Sequence, residues 1–239
     1  MKAQTKWFFI GLIGLLILSR VVLALPASPT TLNFISNSTI TTSLANRSLD
    51  AKGTITVITM DSNQQNYKWK AYVGNVTGKV ALDDANGKSI YDWNLGIGSA
   101  EVYVSRFSNI NWANIACVNQ TSIDAEETGL GISLTLKDNI NGTFNMTTHK
   151  SFDVGIIPMS GCRSTATYIN DAPQTMGPAA FFQEVLLRDT TTGNLIYSTL
   201  VDSAHTGYDN QPHDFQLIVA ENESLAALPS NYFFWVELG

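Results

Sequence analysis

From residue 54 to the C-terminus, apolar residues recur at every second position in short runs closed by turn-forming pairs. A period of two places successive side chains on opposite faces of a strand, so this pattern restricts the chain to β structure. Residues 54–60 are largely β-branched, and Tyr67, Trp69, Ala71 and Val73 alternate with Lys68, Lys70 and Tyr72. Val80 and Leu82 lead into Asp84-Ala-Asn-Gly87 and residues 90–93 return from it, so 78–94 reads as a hairpin. Residues 100–105 follow, and then Leu130, Ile132, Leu134 and Leu136 alternate with small polar residues, with Phe144 and Met146 repeating the pattern. Residues 181–187 and 195–201 flank an Asp189-to-Asn194 turn, and 215–219 and 232–238 close the chain. These later runs are continuously apolar, as expected of strands covered on both faces.

Helix is scarce. Residues 109–115 allow one short turn. Residues 122–128 are better suited, with Ser122 as cap, Asp124, Glu126 and Glu127 in the first turns and Gly129 as terminator. The expected fold is all-β: an antiparallel β-sandwich of about ten strands with one or two short helical turns. An N-terminal apolar helix, signal peptide or anchor, precedes it.

That helix is read from residues 7–19, which are apolar and follow Lys2 and Lys6. A short basic region before 7–15 apolar residues is the pattern of a secretory signal. Small-residue cleavage sites follow Ala24, with Val22 at position −3, and Ala27, with Leu25 at position −3. The alternative is an uncleaved anchor extending through residues 21–25, which Arg20 interrupts at a cost. On either reading the rest of the chain lies outside the cytoplasm, and the membrane is touched only through this segment. The expected divisions are 1–27, signal or anchor; 28–53, a Ser/Thr/Asn-rich linker or amphipathic strand; and 54–239, the β domain. Within 28–53, Leu32, Phe34, Ile40, Thr42 and Leu44 share one parity, broken only by Ile35 on the other.

Charge narrows the partners. Only 14% of residues are charged and the net charge is −6, which becomes −9 once Lys2, Lys6 and Arg20 are removed. An acidic chain without a basic stripe is unsuited to nucleic acid. The expected partners are copies of itself, as an oligomer or filament, or other envelope components.

The chain has two cysteines, Cys117 and Cys162, and in an exported protein two cysteines are expected to pair. Asn-X-Ser/Thr acceptors occur at Asn37, Asn46, Asn75, Asn119, Asn141, Asn145 and Asn222. Used for glycosylation, they would mark surface positions.

No motif specifies a reaction. There is no Gly-X-Ser-X-Gly elbow, no glycine-rich phosphate loop and no His-Glu-X-X-His. The adjacent Asp83 and Asp84 would point to opposite faces of a strand, and turn entry accounts for them. A stretch from Asp202 to Asp214 gathers two histidines and three aspartates. His205, Asp209, His213 and Asp214 are its weak metal candidates, but the spacing matches neither a calcium loop nor a zinc signature, and a polar loop explains it. Trp93, Trp112 and Tyr208 are candidates for stacking on a ligand, with ordinary packing as the competing role. No cofactor and no catalytic residue is assigned.

Several strings carry a resemblance. They are Trp69-Lys-Ala-Tyr-Val-Gly-Asn-Val-Thr-Gly78, Leu82-Asp-Asp-Ala-Asn-Gly87, Tyr91-Asp-Trp93, Glu101-Val-Tyr-Val-Ser-Arg106 and the terminal run from Tyr232 to Gly239. Over residues 50–239 the chain resembles a group of secreted archaeal cell-surface β-sandwich proteins, uncharacterised in activity. The resemblance implies an archaeal envelope location, compatible with glycosylation and disulfides, and brings no catalytic residue. The expected role is that of an exported structural or adhesive surface protein without catalytic activity. The alternatives are a pilin-like filament subunit exchanging a strand at 30–45 and a secreted carbohydrate-binding module.

Overall fold

The computed structural model describes residues 25–29, 31–36, 66–86, 88–94, 100–222 and 230–238. The expected signal helix, the strand at 54–60 and most of the 30–45 pattern lie outside them. The described chain is mostly β, in several antiparallel sheets.

The largest sheet is built from β4 (Glu101–Ser105), β5 (Ile115–Cys117), β8 (Ser164–Ala166), β9 (Gln183–Asp189), β10 (Leu195–Leu200) and β14 (Phe233–Glu237). Its order is β14-β4-β10-β9-β5, and β8 also pairs with β9. β5 and β8 share one edge of β9: Cys117 stands opposite Leu187, and Ser164 opposite Val185. The Cys117–Cys162 disulfide joins the two short strands where they meet, with the Cα atoms 5.0 Å apart.

Both faces of this sheet are covered, which is why its strands read as unbroken apolar runs. On one face Val102, Val104, Leu186, Leu195 and Tyr197 pack with Leu217 and Val219. The latter two come from β13 (Phe215–Ala220), which pairs with β1 (Trp69–Gly74) as a separate ribbon. Ile123 and Leu130 of helix α1 (Gln120–Leu130) and Ile140 of α2 (Ile140–Thr143) complete that core. On the other face Tyr103, Val185, Leu187, Ile196 and Trp235 pack under the hairpin of β6 (Phe152–Val154) and β7 (Ile157–Met159). Two further ribbons are β2 (Lys79–Asp83) with β3 (Ser89–Asn94), and β11 (His205–Thr206) with β12 (Pro212–His213).

Three expectations are corrected locally. α1 is capped by Asn119, whose side chain accepts from the Ser122 N–H at 2.9 Å, and it ends at Gly131 with φ 71°, not at Gly129. Gly129 lies instead beside the Arg106 guanidinium. The alternation over 130–136 is not a strand: Leu130 closes α1, the left-handed Gly131 turns the chain, and Asn139 caps α2 through the Gly142 N–H. Leu134 and Leu136 are consequently exposed. In β1, Ala71 and Val73 face outward, while Tyr72 packs against the core and Lys70 pairs with Glu221.

Candidate functional site: an apolar segment at the sheet edge

β14 forms one edge of the main sheet among the described strands. Its outer side carries a single bridge, in which the Ala27 N–H donates to the Val236 carbonyl at 3.1 Å and the Val236 N–H returns to Ala27 at 2.7 Å. Such an antiparallel bridge would next bond residues 29 and 234. Residue 29 is proline, which has no N–H to donate, so the ladder stops after one step. Residues 31–36 are in neither strand nor helix, and Leu32, Phe34 and Ile35 are 72%, 81% and 93% exposed. Over residues 31–36 the expected period-2 strand pairs with no described strand; the rest of it lies outside the described residues.

The β2–β3 ribbon forms a separate two-stranded sheet. It pairs with no other described strand. Its register sets Leu82 opposite Tyr91, which places Leu82, Tyr91 and Trp93 on one face by alternation. These three are 52%, 59% and 49% exposed, and the Tyr91 and Trp93 rings meet edge to face at 4.8 Å. The turn is held by Asp84, whose Oδ1 accepts from the Asn86 and Lys88 N–H groups, both at 2.9 Å. Those bonds hold the Asp84 carboxyl below its ordinary range. At its root, Gly78 lies against the Leu238 side chain, which a Cβ there would have to push aside.

Buried carboxyls form the most perturbed electrostatic site. Glu101 and Glu237 stand opposite each other in the β4–β14 register, and both are buried. Glu237 accepts from the Tyr103 hydroxyl at 2.8 Å and from the Gly155 N–H at 2.7 Å. Burial, then the neighbouring charge of Glu237, pushes the Glu101 carboxyl up to about 8, against the pull of Lys150. Burial also raises Glu237, opposed by its two donors. On the other face Glu184 is fully buried; its Oε2 accepts from the Ile218 N–H at 2.9 Å and its Oε1 has no protein partner. Burial drives this carboxyl well above its ordinary value. The sequence reading missed all three acids. The available signal was a glutamate inside an apolar strand, as in Glu101-Val-Tyr-Val and Trp235-Val-Glu237.

The other candidates are dispersed. Trp112 packs between Tyr103 and Trp235, with centroids at 5.2 and 5.3 Å. Trp93 lies on the exposed ribbon. Tyr208 is half-exposed beside His213, and its N–H donates to the buried Gln216 amide, which in turn donates to the Tyr168 carbonyl. His213 meets Asp209 at 3.0 Å, His205 stacks on Phe181, and Asp214 is buried, accepting from the Val76 and Ala204 N–H groups. Among the described residues no group of three His, Cys, Asp or Glu is placed to hold a metal. His149 serves the disulfide loop: its Nε2 accepts from the Cys162 N–H at 2.9 Å. Of the glycosylation candidates, Asn37 and Asn46 lie outside the described residues. Asn75, Asn119 and Asn145 are exposed, while Asn141 and Asn222 are half-buried.

No family model, curated protein or solved structure matches this chain.

Proposed function

We propose that this chain is an exported structural protein of the cell surface, a β-sandwich that associates with copies of itself. One observation carries the reading: Leu32, Phe34 and Ile35 stand in solvent a few residues beyond the one bridge that, among the described residues, covers the outer edge of β14. Large apolar side chains exposed close together in sequence suit contact with a partner. The oxidised cysteine pair agrees with export, and no catalytic step belongs to the reading. Light scattering of the purified exported chain over a concentration series tests it. The expected mass exceeds the monomer and rises with concentration; a strict monomer throughout would remove the proposal.

A second reading, binding of carbohydrate, is favoured by one clamp. The Gln216 side chain fixes the backbones of Tyr168 and Tyr208 together, and both tyrosines are half-exposed. Rigid aromatic faces beside polar groups suit a sugar ring. Titration with soluble oligosaccharides, repeated on Tyr208→Ala, tests this reading, which would require binding that the substitution abolishes.

A further inference from the structure

The Asn-X-Ser/Thr acceptors are alike in sequence, but the fold places those it describes differently. Asn119 lies two residues after β5, and Asn145 immediately precedes Met146, whose N–H and carbonyl both bond Ser164 of β8. β5 and β8 share one edge of β9, at the end of the main sheet away from β14. Arg163 links the two sites. Its guanidinium donates to the Gln120 side chain at 3.1 Å and to the Phe144 carbonyl at 3.5 Å, and these residues adjoin Asn119 and Asn145. Both asparagines are exposed, and so are their acceptor threonines, Thr121 and Thr147. Asn141 differs. It is half-buried within α2, its Oδ1 is buried and meets no donor among the described residues, and its N–H donates to Glu127 of α1.

We infer that Asn119 and Asn145 carry N-linked oligosaccharides and that Asn141 does not. This rests on the export proposed above, which brings the chain to a lipid-linked oligosaccharide donor. In the transfer the side-chain nitrogen bonds to the anomeric carbon of the sugar. The bond from that carbon to the lipid phosphate breaks, and one amide proton leaves with the phosphate. The product is a secondary amide that keeps its carbonyl oxygen and one N–H. Both native contacts are compatible with it. The Asn119 Oδ1 still accepts from the Ser122 N–H and caps α1. Asn145 keeps one N–H for the Gly142 carbonyl, to which its Nδ2 donates at 2.9 Å. An oligosaccharide is bulky and hydrated and needs a surface position. On Asn141 it would have to force a half-buried residue out of α2, against the bond that joins α2 to Glu127. Asn75, at the end of β1, is exposed and is an accessible acceptor by the same criterion.

The test exports the full chain from a cell whose secretory compartment holds an oligosaccharyl transferase and its lipid-linked oligosaccharide. The disulfide-bonded product is mapped by peptide mass before and after enzymatic removal of glycans, which leaves aspartate at each site that was occupied. Glycan mass is expected on Asn119 and on Asn145. Thr121→Val and Thr147→Val each delete one acceptor motif while leaving the asparagine bonds in place, so the variants stay folded. Each is expected to lose the glycan at its own site and keep the other. Asn141→Gln is expected to leave the glycan mass of the protein unchanged. An exported, disulfide-bonded chain that is bare at Asn119 or Asn145, or that carries a glycan on Asn141, overturns the inference while export stands. A chain retained inside the cell with free thiols removes the export reading and this inference together.

Discussion

Glu101 and Glu237 face each other across the β4–β14 ladder, two carboxyls in adjacent strands with less than a tenth of either residue exposed. Two negative charges cannot share such a site cheaply, so the pair holds a proton. The donors decide which member keeps it. Glu237 accepts from Tyr103 and Gly155, two donors that favour its charged form, while burial beside it pushes Glu101 up to about 8 and favours the proton there. The Gly155 donor sits in the turn of the β6–β7 hairpin, so Glu237 ties that hairpin down onto the main sheet.

This pair sets an unusual pH dependence. The folded-state value for Glu101, about 8, lies above the ordinary 4.5. A raised value means that the folded state binds more protons, so its contribution is complete below about pH 4.5 and is lost as pH rises through 8. Glu237 is raised as well and acts in the same sense. The unfolding free energy from urea titration is therefore expected to fall between pH 5 and 9, by a total on the order of 3–5 kcal/mol. Glu101→Gln, which mimics the protonated acid, should flatten the profile and match the wild type near pH 5. An unchanged slope in the variant would show that the pair does not hold the proton.

The disulfide closes a sequence separation of 45 residues and joins β5 to β8 on a shared edge. Reduction, or replacement of both cysteines by alanine, is expected to cost about 4 kcal/mol. The loss should be seen first as hydrogen exchange at the Val118 and Leu186 amides, which bond Leu186 and Arg163 at that junction. His149→Phe should add a smaller cost by removing the acceptor for the Cys162 N–H. Equal exchange in the oxidised and reduced proteins would deny the staple its role.

Among the described residues, one salt bridge fastens helix α1 to the main sheet. Arg106, which follows β4, grips Glu126 with two bonds, at 2.6 and 2.8 Å, and Glu126 is buried. Arg106→Ala leaves that carboxylate buried without its cation, and a loss of about 3 kcal/mol is expected. Replacing both residues by leucine and methionine should recover most of it. A double variant as unstable as the single one would place the cost in packing rather than charge.

Much of the β architecture could be read from the sequence because its signals are local. The 78–94 hairpin, β4, β9, β10, β13 and β14 appear where alternation or apolar runs put them, within a residue or two. Pattern failed where partners were decided at long range. Residues 130–136 alternate as cleanly as any strand, but Gly131 and Asn139 fold them into turns. The segment from Leu32 alternates too, yet Pro29 ends its only described pairing. The buried acids were invisible for a related reason: a glutamate in a strand reads as solvent-facing until the second face of the sheet is known to be covered. The aromatic candidates shared one appearance in sequence, and only packing separates Trp112, set between two rings, from Trp93, half in solvent.

The Ala27–Val236 bridge distinguishes the two cleavage sites that the N-terminal sequence allows. Cleavage after Ala24 leaves Leu25, Pro26 and Ala27 on the chain, so both bridge bonds survive. Cleavage after Ala27 removes the residue that supplies both and leaves the outer edge of β14 without a bridge among the described residues. An open edge invites uncontrolled pairing with other chains, which a displayed protein must avoid. The exported protein is therefore expected to begin at Leu25, as read by intact mass and N-terminal sequencing. In that protein the Val236 amide, which donates to the Ala27 carbonyl, should exchange slowly, and Ala27→Pro, which deletes the return bond from the Ala27 N–H to the Val236 carbonyl, should loosen the bridge and speed that exchange several-fold. A mature chain beginning at Ser28 would mean that the edge is bare after export and that the bridge belongs only to the precursor.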